Sequence, residues 1–275
     1  MGGMVVTNVR HSLGDVWDVW TSPLRATAGD WLVAGSVVGA SAIVSPLDDE
    51  VDRWAVHNHG AAVFKPLEPL REGGFIFSGR AIAPLAAGAL VVGIVTKNQR
   101  IQEGLFGCLA SYGASSVVRN YVVYPLIART RPDTRQPGVV APPARQGDQY
   151  HFAFPGSSEW GEHSIPGGHI ANIFACSEFL TRRFSMGAAE PILWAIAGGV
   201  GVGRTLDRRH WFSDQILGAL YGYAVGKEVA IRSSRRADKQ ENKRNKKADG
   251  RRSSSGLFLT PGPEGWRLGW QRSFH

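Results

Sequence analysis

Apolar residues gather in six stretches along this chain, at 31–47, 81–96, 104–128, 165–180, 191–202 and 212–231, separated by polar segments rich in Gly, Pro and charge. Runs of this length and composition predict helices, and their number predicts an all-α fold, a bundle of about six core helices. Crossing a bilayer takes roughly 20 predominantly apolar residues. Several of the stretches are shorter than that, and three are interrupted: by Arg119 and Asn120, by Glu178, and by Lys227 with Glu228. Taken singly, each fits a buried helix of a soluble bundle as well as it fits a membrane span.

The polar segments carry an asymmetry that the apolar ones lack. With six crossings and a cytoplasmic N-terminus, Arg10, Arg25, Lys97, Arg100, Arg182 and Arg183 fall on the cytoplasmic side, together with a basic C-terminal tail. Asp48, Asp49, Glu50 and Asp52 fall on the other. This is the charge bias that orients membrane helices. It predicts a multi-pass protein of a bacterial inner membrane, with segments 129–165 and 203–211 on the periplasmic face. A soluble helical bundle with the same loops at one end is the alternative.

Charge and cysteine content narrow the reading. The net charge is +8, and residues 232–252 alone hold ten Lys or Arg against three acidic residues, a local +7. A nearly neutral body without a long basic stripe argues against nucleic acid as a partner. The Lys/Arg/Ser-rich segment 233–256 has the composition of a disordered linker. It separates a helical domain at 31–232 from a C-terminal segment, 257–275, in which Trp266, Leu268 and Trp270 alternate as in a short strand. The N-terminal segment, 1–30, shows no basic stretch followed by an apolar run and a small-residue cleavage site, so a cleaved signal peptide is not expected. Cys108 and Cys176, each inside an apolar stretch, are read as small buried hydrophobes, and a disulfide framework is excluded as an organising principle.

Three short segments hold the chemistry. In Gly203-Arg204-Thr-Leu-Asp-Arg-Arg-His210-Trp-Phe-Ser-Asp214, helical spacing would put a carboxylate one turn from an imidazole, where it can fix the tautomer and leave the other ring nitrogen free to attack. Gly218, Gly222 and Gly226 follow at four-residue intervals, a small-residue face for close helix approach. In Ser164-Ile-Pro166-Gly167-Gly168-His169, the glycines open a helix whose N-terminus can hold an anion beside His169. In Arg129-Thr-Arg131-Pro132, a guanidinium suited to phosphate oxygens stands where Pro132 stops a helix. Each segment alone has an ordinary structural explanation. His163 with His169, or His57 with His59, lacks a third ligand at convincing spacing for a metal.

Taken in order, Arg-Pro, then Pro-x-Gly-His, then Arg-x5-His-x3-Asp resembles the three-part signature of the type-2 phosphatidate phosphatases, which share a fold with bacterial acid phosphatases and vanadium-dependent haloperoxidases. The resemblance covers about residues 100–230 and is closest to the membrane phosphatase branch. It implies a metal-independent phosphoric monoester hydrolase without a cofactor, working through a phosphohistidine. The implied roles are nucleophile for His210, its orienter for Asp214 and general acid for His169. Arg131, Arg204 and the backbone at Gly168 and Gly167 would hold the phosphate. Substrates implied are a lipid phosphate or pyrophosphate, or a small phosphomonoester if the bundle is soluble.

Three positions depart from the signature. Tyr124 stands where the family has a lysine seven residues before the arginine, and Gly167 and Gly203 stand where it has serines. A cation and two hydroxyls are missing. A Tyr124 hydroxyl could still donate to the phosphate, and Arg129, Arg208 or Arg209 could supply the charge. The alternatives to a phosphatase are a vanadate-dependent haloperoxidase and a membrane protein that binds phosphorylated lipid without turnover.

Overall fold

The computed structural model describes residues 2–72, 82–133, 148–156, 160–252, 254–262 and 265–273. The chain divides into two compact units, Met1–Ile231 and Arg232–His275, the boundary falling inside the last helix. The first unit is helical, as the apolar stretches predict. Its longer helices are α1 (Gly2–Trp20), α2 (Ala28–Val44), α3 (Asp48–Asn58), α5 (Ile82–Thr96), α6 (Gln99–Val118), α8 (Gly168–Arg183), α9 (Ala189–Leu206) and α10 (Phe212–Arg252). The short α4 (Glu68–Glu72) and α7 (Tyr124–Leu126) punctuate the connections.

Local chemistry sets several helix starts. Thr27 and Asp30 form a reciprocal capping box at α2, and the Asn98 side chain accepts from the backbone of Arg100 and Ile101 at α6. α8 differs: its N-cap is Gly167, which has no side chain to offer its first N–H groups. Those donors remain available at the one helix start where the sequence places a candidate catalytic histidine.

One buried cluster joins α1, α6, α8 and α10: Val19 of α1, Ala110 and Ala114 of α6, Ala175 and Phe179 of α8, and Val225, Val229 and Ala230 of α10. The small-residue face of α10 works as expected. A Cβ on Gly218, Gly222 or Gly226 would collide with the carbonyl of Gly167, Ala171 or Ala175 respectively, so α8 and α10 meet backbone to backbone. That contact fixes the start of α8 against the start of α10, and so the segments bearing His169 and His210 against each other.

The structure corrects the segment reading in three places. Residues 1–30 join the bundle: α1 buries Val5 and Val19, and Ser12 Oγ donates to the Phe106 carbonyl of α6 at 3.0 Å. Its apolar residues form no long run, and Val6, Leu13 and Trp17 stay exposed while Val5 and Val19 are buried. Residues 233–252 continue α10 as helix. Lys, Arg, Ala, Gln and Glu are good helix formers, and extending a helix avoids the cost of nucleating one. Cys108 and Cys176 form a disulfide between α6 and α8, 68 residues apart in sequence, with Cα atoms 4.5 Å apart. Close approach makes this pairing available: a Cβ on Gly107 would overlap the Phe179 ring. In the second unit, β3 (Ser254–Gly262) pairs antiparallel with β4 (Gly265–Ser273), the strand containing Trp266, Leu268 and Trp270.

Among the described residues, one helical stretch, Ala28–Asn58, is long and apolar enough to cross a membrane, with a mean hydropathy of 1.4. The other apolar stretches form helices that are shorter or carry more charge. α2 and α5 nevertheless display large aliphatic side chains, among them Leu32 at 75 %, Ile43 at 80 % and Val95 at 70 % exposure.

Candidate active site

The site assembles where the C-terminal end of α9 and the starts of α8 and α10 meet a small sheet. β1 (Ala128–Arg129) pairs antiparallel with β2 (Phe152–Ala153), and Arg129 bridges in parallel to His163. Arg131 N–H donates to the Gly161 carbonyl at 2.7 Å, and Ser164 N–H to the Arg129 carbonyl at 3.1 Å. The first and second sequence segments are thereby locked together, although 32 residues separate Arg131 from His163.

His169 and His210 face one another with ring centroids 6.3 Å apart. His210 is buried, and its Nδ1 lies 2.6 Å from the Ser164 carbonyl oxygen. A carbonyl can only accept, so Nδ1 carries the proton and Nε2 keeps a lone pair. The unprotonated ring nitrogen is therefore Nε2.

Asp214 reaches that ring by a different route from the one its spacing suggests. Its Oδ1 accepts from Arg129 Nη1 at 2.6 Å, and its Oδ2 from Ser164 Oγ at 2.5 Å and from the Trp211 N–H at 3.2 Å. The carboxylate holds Ser164, and Ser164 holds His210. Spacing fails here because His210 precedes the first residue of α10, Phe212, so the four-residue interval is not one helical turn. Ser164 is the positioning residue that sequence reasoning passed over.

Arg129 belongs to the scaffold of the site. It is 2 % exposed, and besides Asp214 it binds Asp48 Oδ2 at 2.7 Å, Ser213 Oγ at 2.8 Å and the Gln149 carbonyl at 2.8 Å. Asp48 in turn accepts from Ser213 N–H at 2.8 Å and Ser213 Oγ at 2.6 Å. Arg208 is likewise committed, to Asp52 at 2.7 and 2.8 Å. Neither therefore supplies the charge that the missing lysine would have brought.

Arg131 and Arg204 flank the histidines. Arg131 donates to the carbonyls of Arg209 and His163, at 3.0 and 2.8 Å. Arg204 lies 3.9 Å from Asp207, and its Nε is buried with no partner. Burial lowers the pKa of both guanidinium groups to about 10. Neighbouring Arg204 and Arg209 push Arg131 further down while Tyr124 opposes, and Asp207 partly offsets the shift at Arg204. Both remain charged at neutral pH. Burial, followed by the charges of Arg131 and Arg204, also holds the His210 imidazole well below its ordinary range, hence neutral. Positive charge thus outweighs what its carboxylates neutralise, the condition under which a phosphate is drawn in. Arg204 additionally lines a cavity of about 590 Å³ with Arg71, Asp207, Arg208 and Arg209.

The remaining candidates divide. Gly168 opens α8 as expected, whereas Gly167 spends its N–H on the Asp214 carbonyl at 2.8 Å. Tyr124 stacks on His163, with centroids 4.4 Å apart and planes 7° from parallel. Gly203 faces Arg71, whose Cγ stands 2.7 Å from where a Cβ would be. Among the described residues no group of three or more His, Cys, Asp or Glu is arranged to hold a metal ion.

Comparison with known proteins bears on this geometry directly. The model of the PAP2 superfamily matches residues 104–237, a span that contains Arg131, His169, Arg204, His210 and Asp214. Just under half of the chain is thus similar to the PAP2 superfamily. It is also 34 % identical over 68 residues to the lipid A 1-phosphatase of Porphyromonas gingivalis, a match covering 23 % of this chain and 15 % of that protein. The crystal structure of a transmembrane PAP2 type phosphatidylglycerolphosphate phosphatase from Bacillus subtilis superposes with a TM-score of 0.44. There the sequence identity is 17 %, over 76 % of this chain and 94 % of that one.

The neutral state of His210 has a thermodynamic signature. An unfolded histidine titrates near 6.5, and the folded ring well below. The stability linked to this ring is full above about pH 6.5 and is lost as pH falls toward the folded value, because the unfolded chain takes a proton that the folded one refuses. His210→Gln removes that dependence. The difference in unfolding midpoint between the two proteins should therefore shift in favour of His210→Gln between about pH 7.5 and pH 5; a constant difference would contradict a buried neutral ring.

Proposed function

We propose that this chain is a phosphatase that hydrolyses a phosphate monoester of a membrane lipid through a phosphohistidine at His210. The observation that carries the reading is the pair of histidines 6.3 Å apart, one with its tautomer fixed by Ser164, flanked by the buried Arg131 and the partly buried Arg204. Phosphoryl transfer asks mainly for in-line positioning and charge neutralisation, and guanidinium groups supply the second without a metal ion.

In this reading Nε2 of His210 attacks phosphorus as the P–O bond to the leaving group breaks, and His169 gives its proton to the departing oxygen. Arg131, Arg204 and the Gly168 N–H hold the three non-bridging oxygens. Water then attacks the phosphohistidine with His169 as base, releasing inorganic phosphate and restoring the His210 imidazole. Asp214 and Ser164 keep Nδ1 protonated throughout.

Two considerations favour a lipid substrate. The aliphatic side chains displayed on α2 and α5 would be hydrated at a cost of roughly 25 cal/mol per Å² in water, and lipid removes that cost. A protein that matches part of this chain is named for a lipid phosphate, lipid A 1-phosphate. The distribution of charge supports a site on the periplasmic side. Arg100, Arg182 and Arg183 gather at the far ends of α6 and α8, where Arg183 pairs with Glu103 at 2.8 Å.

The activity is tested on the full-length protein purified from membranes, with lipid phosphates in mixed micelles. Phosphate release should continue after exhaustive chelation and fall at least about a thousandfold in His210→Ala, the scale on which loss of a nucleophile is felt. Full activity in His210→Ala, or loss on chelation with rescue by a divalent ion, would overturn the mechanism. Orientation is tested with an impermeant thiol reagent on intact spheroplasts. A cysteine replacing Tyr150 should react and one replacing Arg100 should not; equal labelling of the two would contradict the proposed topology.

A further inference from the structure

Two hydroxyls and a lysine of the family signature are absent, yet the space around them is not empty. Gly167 has no room for a serine. A Cβ there would lie 2.8 Å from Oε1 of Gln215 and 3.0 Å from the Asp214 carbonyl. Gln215 is 4 % exposed, and neither its Nε2 nor its Oε1 has a hydrogen-bond partner. A buried amide left wholly unsatisfied costs a few kcal/mol unless something that accepts or donates arrives. It stands one residue beyond Asp214, at the start of α10, and against the glycine that begins α8.

The neighbouring glycine is pressed in the same way. A Cβ on Gly168 would lie 2.9 Å from Cζ and 3.0 Å from Nε of Arg119. Arg119 is 4 % exposed and opens a π-helical turn, Arg119–Val123, the kind of irregularity that re-aims side chains at functional sites. Its Nη1 donates to the Gly168 carbonyl at 3.0 Å and to Asn172 Oδ1 at 3.2 Å, and its Nη2 to Ser116 Oγ at 3.4 Å. Its Nε is buried without a partner, and among the described residues no carboxylate pairs with it. A full positive charge therefore lies buried beside the helix start that faces His210.

We infer that Gln215 and Arg119 are phosphate ligands of this site, the Gln215 amide replacing the hydroxyl that Gly167 lacks and the Arg119 guanidinium replacing the cation that Tyr124 lacks. The inference rests on the phosphatase reading above. It explains why two of the three departures occur together with two buried side chains that keep an unpartnered donor, Gln215 and Arg119, the Gln215 amide seated against Gly167 through its Oε1 and Arg119 against Gly168 through its guanidinium. The donors come from the helices packed on either side of α8, so the oxyanion cradle has been rebuilt from its flanks.

The exchange is testable by reversing it. On the purified full-length protein, binding of orthovanadate is measured by calorimetry and turnover of a lipid phosphate in mixed micelles, with unfolding midpoints recorded for every variant. Gln215→Ala and Arg119→Met should each weaken vanadate binding about tenfold, the loss of one hydrogen bond to a charged group. Gly167→Ser alone should be impaired, because its side chain meets Gln215. Gly167→Ser combined with Gln215→Ala should recover binding and turnover to within a few-fold of wild type, since the hydroxyl then takes the vacated place. A double variant no better than Gln215→Ala, or single variants that bind vanadate as wild type does, would overturn the ligand assignment and leave the phosphatase reading standing. A wild-type protein that neither binds vanadate nor releases phosphate would overturn the phosphatase reading, and this inference with it.

Discussion

The site hangs on one buried guanidinium. Arg129 sits between Asp48 of α3 and Asp214 of α10, all three at most 2 % exposed in their side chains, with charge-assisted bonds of 2.6 and 2.7 Å. Removing one member of such a group leaves the others buried and uncompensated, at a cost of about 3–5 kcal/mol. The arrangement is also directional. Asp48 takes the first donors of α10 through Ser213, and Asp214 takes the Ser164 hydroxyl, so α3, β1, the approach to α8 and the start of α10 are registered against one charge. His210 inherits its position from that register through the Ser164 carbonyl.

This division of labour separates two populations of arginine. Arg129 and Arg208 are matched to carboxylates and hold elements together. Arg131 donates to two carbonyls, Arg119 to a carbonyl, an amide oxygen and a hydroxyl, and Arg204 stands 3.9 Å from Asp207, so these three are held less by carboxylates than the first pair is. In the proposed reaction, a phosphate between His169 and His210 would meet donors already in place and desolvated, where each interaction is worth more than it would be in water.

What could be read from the sequence follows from how far apart the cooperating residues lie. Arg131, His169, Arg204 and His210 each stand at the end of an apolar stretch within a short recognisable segment, and the glycines of α10 announce a close helix contact. Asp48, Ser164, Arg119 and Gln215 carry no such local mark. Asp48 was legible only as loop charge, and Arg119 only as an interruption in an apolar run; their roles exist because the fold brings α3 and the π-helical turn to the site. Helical spacing predicts a direct contact of Asp214 with His210, whereas the two are linked through Ser164 because His210 precedes the helix. The Cys108–Cys176 bridge and the participation of α1 depend equally on packing that spacing does not encode.

The proposed reaction requires a free Nε2 at His210 that forms a bond to phosphorus. Rapid mixing with radiolabelled lipid phosphate, followed by alkaline quench and peptide mapping, tests that directly, because phosphohistidine survives base. Label should accumulate within a single turnover on the peptide containing His210 and be absent from His210→Ala. Label on another residue, or none at any time while phosphate is being released, would contradict the account.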